Sequence, residues 1–439
     1  MRLVHRLSQM KRSILLLIVA LLLMLEGGLV WAAVHVSQRP ATPAAVQGTP
    51  PRPGASGAAP TPGAAAPTLA PSSAGIELRP MPREASALVA VGDLAAVAET
   101  FDVEEALAHV EELTAPKYAG REAGSPGSRA AAEYLAEQFA AYGLQAAGTD
   151  GYYQTFDTPY AEVMAVPVLE YTRADGQAGD ELVFREDFAW VWGGYSGGGR
   201  ADGTVYWLNN GSPSDYRGLD VKGEIVLVRS ENAEEAARQA LEHGADGLLL
   251  LTENQQRIAI RRTYRELPYL SRSLPTLWVS PAVASALLDG SGYTLDDLTF
   301  LYRSFELETS ARLKVPMKEH GEAPARNVLG VLPGADPALR DQVLILGAHY
   351  DHVGLDPEGT IYAGANDNAS GVAVLLEIAH SWQAAGYTPE RSVLFAAWDA
   401  EEQGLFGSQH YVREPSFPLT RTVGMIQLDM VGLAVTGTL

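Results

Sequence analysis

The chain has 439 residues, of which 47% are hydrophobic and 19% charged, and it contains no cysteine. That length leaves room for two or three domains with ample core, while the missing thiols exclude structural disulfides and a lipid-modified N-terminal cysteine. Lys and Arg number 32 against 53 Asp and Glu, a formal charge of −21, and the lack of any Lys/Arg cluster argues further against a nucleic-acid partner.

Arg2, Arg6, Lys11 and Arg12 precede an unbroken apolar run over 14–25, followed by small residues at Ala32 and Ala33. The run suits a signal-peptide core better than a membrane span, which needs roughly 20 apolar residues. Apolar character nevertheless continues over 29–36. Residues 1–36 are therefore read as a signal peptide or an N-terminal membrane anchor, with anchoring through residues 14–36 left open. Either way the bulk of the chain is expected outside the cytoplasm, secreted or anchored, since the positive charges stay inside. Residues 37–84 are Pro/Ala-rich with almost no large apolar side chains, so a disordered linker is expected.

Residues 85–159 carry two helical patterns, Val103–Leu113 and 128–142, joined by the Gly/Pro/Ser loop "YAGREAGSPGS" at 118–128. Between 160 and 318 the pattern turns to short strands with glycine turns. It includes a strand in 221–230, a helix and a buried strand in 232–252, a strand at 274–280 and a short helix at 281–288. A β-rich insertion with its own apolar supply follows. From 319 to 439 an α/β rhythm returns. Strands at 327–334, 342–349, 391–399 and 422–430 read as continuous apolar runs, as strands buried on both faces do. A helix at 369–385 lies between the second and third, and a short one at 405–413 between the third and fourth.

The chemistry gathers where these strands end. "GAHYDH" (347–352), "WDAEEQG" (398–404) and "QLDMVG" (427–432) place His349, Asp351, Asp399, Glu401, Glu402 and Asp429 at strand C-termini. Asp367 lies in the crossover between two of them, inside "AGANDNASGV" (363–372), where it reads either as a helix cap or as a metal ligand. Ligands of open α/β sheets bind at that carboxyl edge. So many carboxylates on one edge, without matching Lys or Arg, would repel unless a divalent cation neutralised them. Mixed His and carboxylate ligands suit zinc, and a shared carboxylate suits a pair of ions. The adjacent Glu401 and Glu402 allow one to bind metal while its neighbour takes a proton from water. Other polar residues read blandly: His352 as a pocket-rim or surface residue, His380 and His410 as packing or exposed, Asp399 as a turn residue or a hydrogen-bond partner near the metals.

"GAHYDHVG", "AGANDNASG", "WDAEEQGLFGS" and "IQLDMVG" together resemble metallopeptidase family 28, the zinc-dependent exopeptidases that include secreted bacterial aminopeptidases and glutamate carboxypeptidase II. The segments at 120–144 and 325–334 fit the same family, and 221–288 resembles the protease-associated (PA) domain inserted in some members. The resemblance implies an α/β fold, a mixed-sheet α/β/α sandwich interrupted by the PA domain. It implies two Zn²⁺ ions, with His349 and Asp429 on one, Glu402 on the other and Asp367 bridging. It further implies a cis peptide bond after Asp367, Asp351 as the residue orienting the His349 imidazole, and Glu401 as general base to a metal-activated hydroxide. The substrate implied is a peptide or protein, and aminopeptidase action is favoured over carboxypeptidase. One departure stands out. The family's last ligand is a histidine well downstream, whereas no histidine follows His410 here. On that ground the chain is expected to be a C-terminally truncated fragment, holding near one zinc with little activity. The alternatives are a glutaminyl cyclase-like one-zinc enzyme and a non-catalytic receptor or binding module on the same fold.

Overall fold

The structure, a computed structural model, describes residues 97–158, 160–191, 197–229, 232–258, 264–265, 274–321 and 323–432. The signal or anchor at 1–36 and the linker at 37–84 lie outside the described residues. Among the described residues no helix is long and apolar enough to cross a membrane.

The first helix, α1 (Val103–Leu113), begins at Asp102, whose carboxylate accepts the Glu104 and Glu105 amides, and it buries Val103, Ala106 and Leu113. The stretch after it, read as loop, is in part a tight 3-10 turn at Pro116–Arg121 that buries Tyr118 and Arg121. α2 (Pro126–Ala141) starts on the Ser125 cap with proline in its first turn and buries Ala131, Leu135 and Phe139. Two strands follow, β1 (Gln145–Ala146) and β2 (Tyr153–Asp157).

After the insertion come β3 (Pro324–Leu332), β4 (Val343–His349), α3 (Ser370–Ala384), β5 (Ser392–Trp398), α4 (Phe406–Arg413) and β6 (Thr422–Gln427). The sheet runs β1–β3–β5–β4–β6, with β2 also paired to β3. β3 is antiparallel to β5, whereas β5, β4 and β6 are mutually parallel. β4 and β5 are buried at every position, which is why they read as unbroken apolar runs. α1, α2 and α3 cover one face through Leu113, Phe139, Val372 and Leu375, which share a core with Phe395 of β5. The other face is closed by Tyr411 of α4 and by Phe417, against Leu329, Ile345 and Leu394. The result is the expected mixed α/β fold with helices on both sides. Parallel pairing sets His349 opposite Trp398, so the ends of β4, β5 and β6 share one edge.

The chain leaves this body on Tyr160–Val163 and returns on Met317–His320, two strands that pair antiparallel with each other. Between them stands a separate seven-stranded sheet. Its order is Val168–Thr172, Phe305–Val315, Gly199–Trp207, Ile225–Val228, Gly247–Leu251, Thr276–Val279 and Phe188–Trp190. One face packs Leu227, Leu249 and Leu277 with helix Pro281–Leu287. The other packs Val226, Leu248 and Leu250 with helix Ala233–Glu242. Both of these helices fall where the sequence reading placed them, around a unit that is mostly strand.

Candidate metal centre

Three side chains meet around one imidazole. His349 Nε2 lies 3.2 Å from Asp367 Oδ1, 3.6 Å from Asp429 Oδ1 and 3.9 Å from Glu401 Oε2. His349 ends β4, Asp429 follows β6, and Asp367 sits where the crossover enters α3. Close packing brings the last two together. A Cβ on Gly371 would fall 2.4 Å from both Asn368 Oδ1 and Leu428 O, so only glycine lets the start of α3 approach that strand end.

Asn368 serves both sides of this junction. Its Oδ1 accepts the Gly371 amide at the mouth of α3 and the Met430 amide, while its Nδ2 donates to Leu428 O. It thereby grips the backbone on either side of Asp429. Ser370, the first residue of α3, donates its hydroxyl to Asn366 O. The Asp367–Asn368 peptide is cis, as the resemblance implies.

Asp351 is fully buried, and its carboxylate accepts the Glu401 amide at 3.0 Å and the Glu402 amide at 3.1 Å. Its Oδ1 stands 3.5 Å from His349 Nδ1, while the shorter 3.3 Å approach of that nitrogen is to the Asp351 carbonyl. The residue therefore orders the paired glutamates as much as it faces the imidazole. Ala400 and Met430, next to Glu401 and Asp429, both have left-handed backbone (φ 56 and 50). Such strain in non-glycine residues is retained where the surroundings over-determine it, commonly at functional sites.

The electrostatics suit a divalent cation. Burial opposes a proton on His349, yet the carboxylates of Asp351, Asp367 and Asp429 prevail and hold its pKa well above the ordinary value. Burial lifts Glu401 to about 7, with His349 opposing and Asp351, Glu402 and Asp429 reinforcing. Among the described residues Asp429 Oδ1 is buried without a hydrogen-bond partner. An orphaned carboxylate oxygen facing an imidazole and a second carboxylate is the donor set a divalent zinc would satisfy.

Sequence reasoning passed over two residues. His352, read as a rim residue, places Nδ1 2.8 Å from Glu402 Oε1. It forms with Asp367 and Glu402 a second group whose ligand atoms lie within 4.8 Å of one another, as do those of His349, Asp367 and Asp429. Asp367 belongs to both sets. Arg121, buried beside them, spends its guanidinium on backbone: Nε to Tyr350 O, Nη1 to Leu113 O and Ala363 O, Nη2 to Gly364 O. Asymmetric "HYDH" spacing could have hinted at His352. Nothing local marks Arg121, because its partners are remote in sequence. Asp399 stays out of the metal cluster. It accepts from the Ser128 and Tyr350 hydroxyls and from the Arg326 amide, deep in the body.

Mixed His and carboxylate donors gathered at the carboxyl edge of an open α/β sheet, suited to a divalent cation, are what fold and donor set define. Residues 327–439 match the model of Peptidase family M28. Over 225 residues the chain is 32% identical to a probable lipoprotein aminopeptidase, LpqL, of Mycobacterium tuberculosis (50% of this chain, 38% of that protein). Over 108 residues it is 38% identical to a probable zinc metalloprotease of Pyrenophora teres f. teres (24% of this chain, 22% of that protein). It therefore spans less than half the length of either curated relative. Among solved structures, an aminopeptidase from Aneurinibacillus sp. strain AM-1 shares the fold with a TM-score of 0.50 at 22% identity, covering 76% of this chain and 71% of that one.

Proposed function

We propose that the protein is an exported zinc-dependent exopeptidase that removes N-terminal residues from peptides. The observation carrying this reading is the shared carboxylate: Asp367 stands in one set with His349 and Asp429 and in another with His352 and Glu402. Zinc held by such sets would supply Lewis acidity toward a peptide carbonyl and toward water. Glu401 belongs to neither set, yet its Oε2 lies 3.9 Å from His349 Nε2, at the mouth of the first. Its carboxylate is placed to take the proton of the attacking water at Oε2 and return it to the leaving amine. A base needs affinity for that proton near working pH, and burial among carboxylates supplies it. Asp351 keeps Glu401 and Glu402 in fixed directions by holding both amides. Two imidazoles and one shared carboxylate support two ions in this chain, more than the single ion expected from the sequence.

Incubating the zinc-loaded protein with unblocked peptides tests the reading. Free amino acids released from the N-terminus, and not from N-acetylated peptides, are expected. Pyroglutamate formation without hydrolysis would favour the cyclase alternative, and neither product would favour the binding module. Residues 1–36 support export, and the 221–288 pattern supports a PA-like insertion. A reporter fused behind residues 1–84 that stayed in the cytoplasm would refute export.

A further inference from the structure

The two metal-ligand sets are joined by one loop, residues 350–364, which leaves β4 and returns toward Asp367. From the peptidase body it is held by a backbone ladder, with the His352 amide donating to Arg121 O and the Gly354 amide to Gly120 O. From the opposite side it is held by the inserted unit. Arg185, just before the strand Phe188–Trp190, donates from Nη1 to Asp356 Oδ2 at 2.9 Å and also to Glu358. The Arg185 side chain is only 8% exposed and that of Asp356 is 0% exposed.

Both halves of this contact are built for it. Asp356 Oδ1 accepts the Glu358 and Thr360 amides, at 3.0 and 2.8 Å, and Oδ2 accepts the Tyr362 hydroxyl at 3.0 Å. One carboxylate thus folds the turn 356–362 around itself. The Arg185 guanidinium is backed by the rings of Phe184 and Trp190, with its carbon 5.0 and 5.6 Å from their centroids. Arg185 also adopts left-handed backbone, φ 68, a conformation unfavourable for a long side chain unless its surroundings require it. Leaving either buried charge without the other would be strongly unfavourable.

We propose that Arg185 is a positioning residue by which the inserted unit holds the 350–364 loop, and with it His352 and the approach to Asp367, in metal-binding geometry. The insertion is then part of the metal centre's support and more than an appended module. The proposal rests on the zinc reading above only for its effect on metal; the holding of the loop is independent of it.

Two readouts on the full chain separate these. Hydrogen exchange of the metal-free protein should show amides of 353–364 exchanging at least tenfold faster in Arg185→Met than in wild type, with the central sheet unchanged. Equal rates would overturn the proposal, whatever the protein does with zinc. Chelator competition should then show zinc held about tenfold more weakly in Arg185→Met, the scale seen when groups supporting metal ligands are lost. Arg185→Lys should restore part of the affinity, because it keeps the charge between the rings and the carboxylates. Asp356→Asn, which also weakens the carboxylate that folds the turn, should loosen the loop at least as much as Arg185→Met, and the double variant should lose no more than Asp356→Asn alone. A looser loop with unchanged zinc affinity would refute positioning and leave only a structural tie. Should Arg185→Met fail to fold, Arg185→Lys and Glu358→Gln carry the same two measurements. Wild type that retains no zinc would sink the zinc reading, while the exchange result still decides the tie.

Discussion

Arg121→Met tests how the loops around the metal centre are held. The guanidinium is fully buried and serves four carbonyls, those of Leu113, Tyr350, Ala363 and Gly364. Methionine fills similar volume but donates nothing, so all four acceptors lose this donor. At ~1 kcal/mol for each such bond the gross loss is ~4 kcal/mol. Part returns because a cation no longer has to be buried. That cost shows in the Arg121 pKa, pushed down to about 10 by burial despite the opposing charges of Asp351 and Asp367. A net loss of ~2–3 kcal/mol follows, a large fraction of the stability of an ordinary domain. Arg121→Lys should recover less than half, since one ammonium cannot reach four carbonyls spread over three segments. Urea unfolding of metal-free wild type and variants, followed by tryptophan fluorescence, measures this directly. A loss below ~0.5 kcal/mol would show that water or a relaxed backbone replaces the guanidinium, and the account of these loops would be wrong.

Other expectations follow from the same geometry. Glu401→Gln should keep zinc and lose turnover by a factor of at least ~10², because the amide cannot accept the proton; near-normal kcat would remove Glu401 from the role of base. His352→Ala should lower bound zinc from two ions per chain to one after dialysis, and metal analysis showing no change would leave His352 a neighbour of Glu402 and no more. Glu122 is buried with Oε1 unpaired among the described residues, and burial, reinforced by Glu162, lifts its pKa to about 8 from the ordinary 4.5. The folded state therefore keeps a proton that the unfolded chain releases, and stability falls as pH rises from about 4.5 to about 8. Glu122→Gln should abolish that slope, gaining roughly 4 kcal/mol at pH 7.5 and nothing near pH 4. Equal denaturation midpoints at both pH values would contradict the burial argument.

Local pattern carried the elements and most of the acidic cluster. Apolar runs marked β4 and β5 because both of their faces are covered. His349, Glu402 and Asp429 were legible because each closes or follows such a run, and strands that lie parallel in one sheet must finish on one edge. Asp367 was legible as an unexpected acid among turn residues, with its role supplied by family resemblance. The partners of buried polar groups were not legible. Asp351 meets the amides of Glu401 and Glu402, His352 meets Glu402, Arg121 meets carbonyls of 350 and 363–364, and Arg185 crosses from the inserted sheet to Asp356. Periodicity reports only which face of an element avoids water. Which donor reaches which acceptor depends on how separate elements approach, and a buried charge takes whatever partner that approach offers, because going without one costs too much.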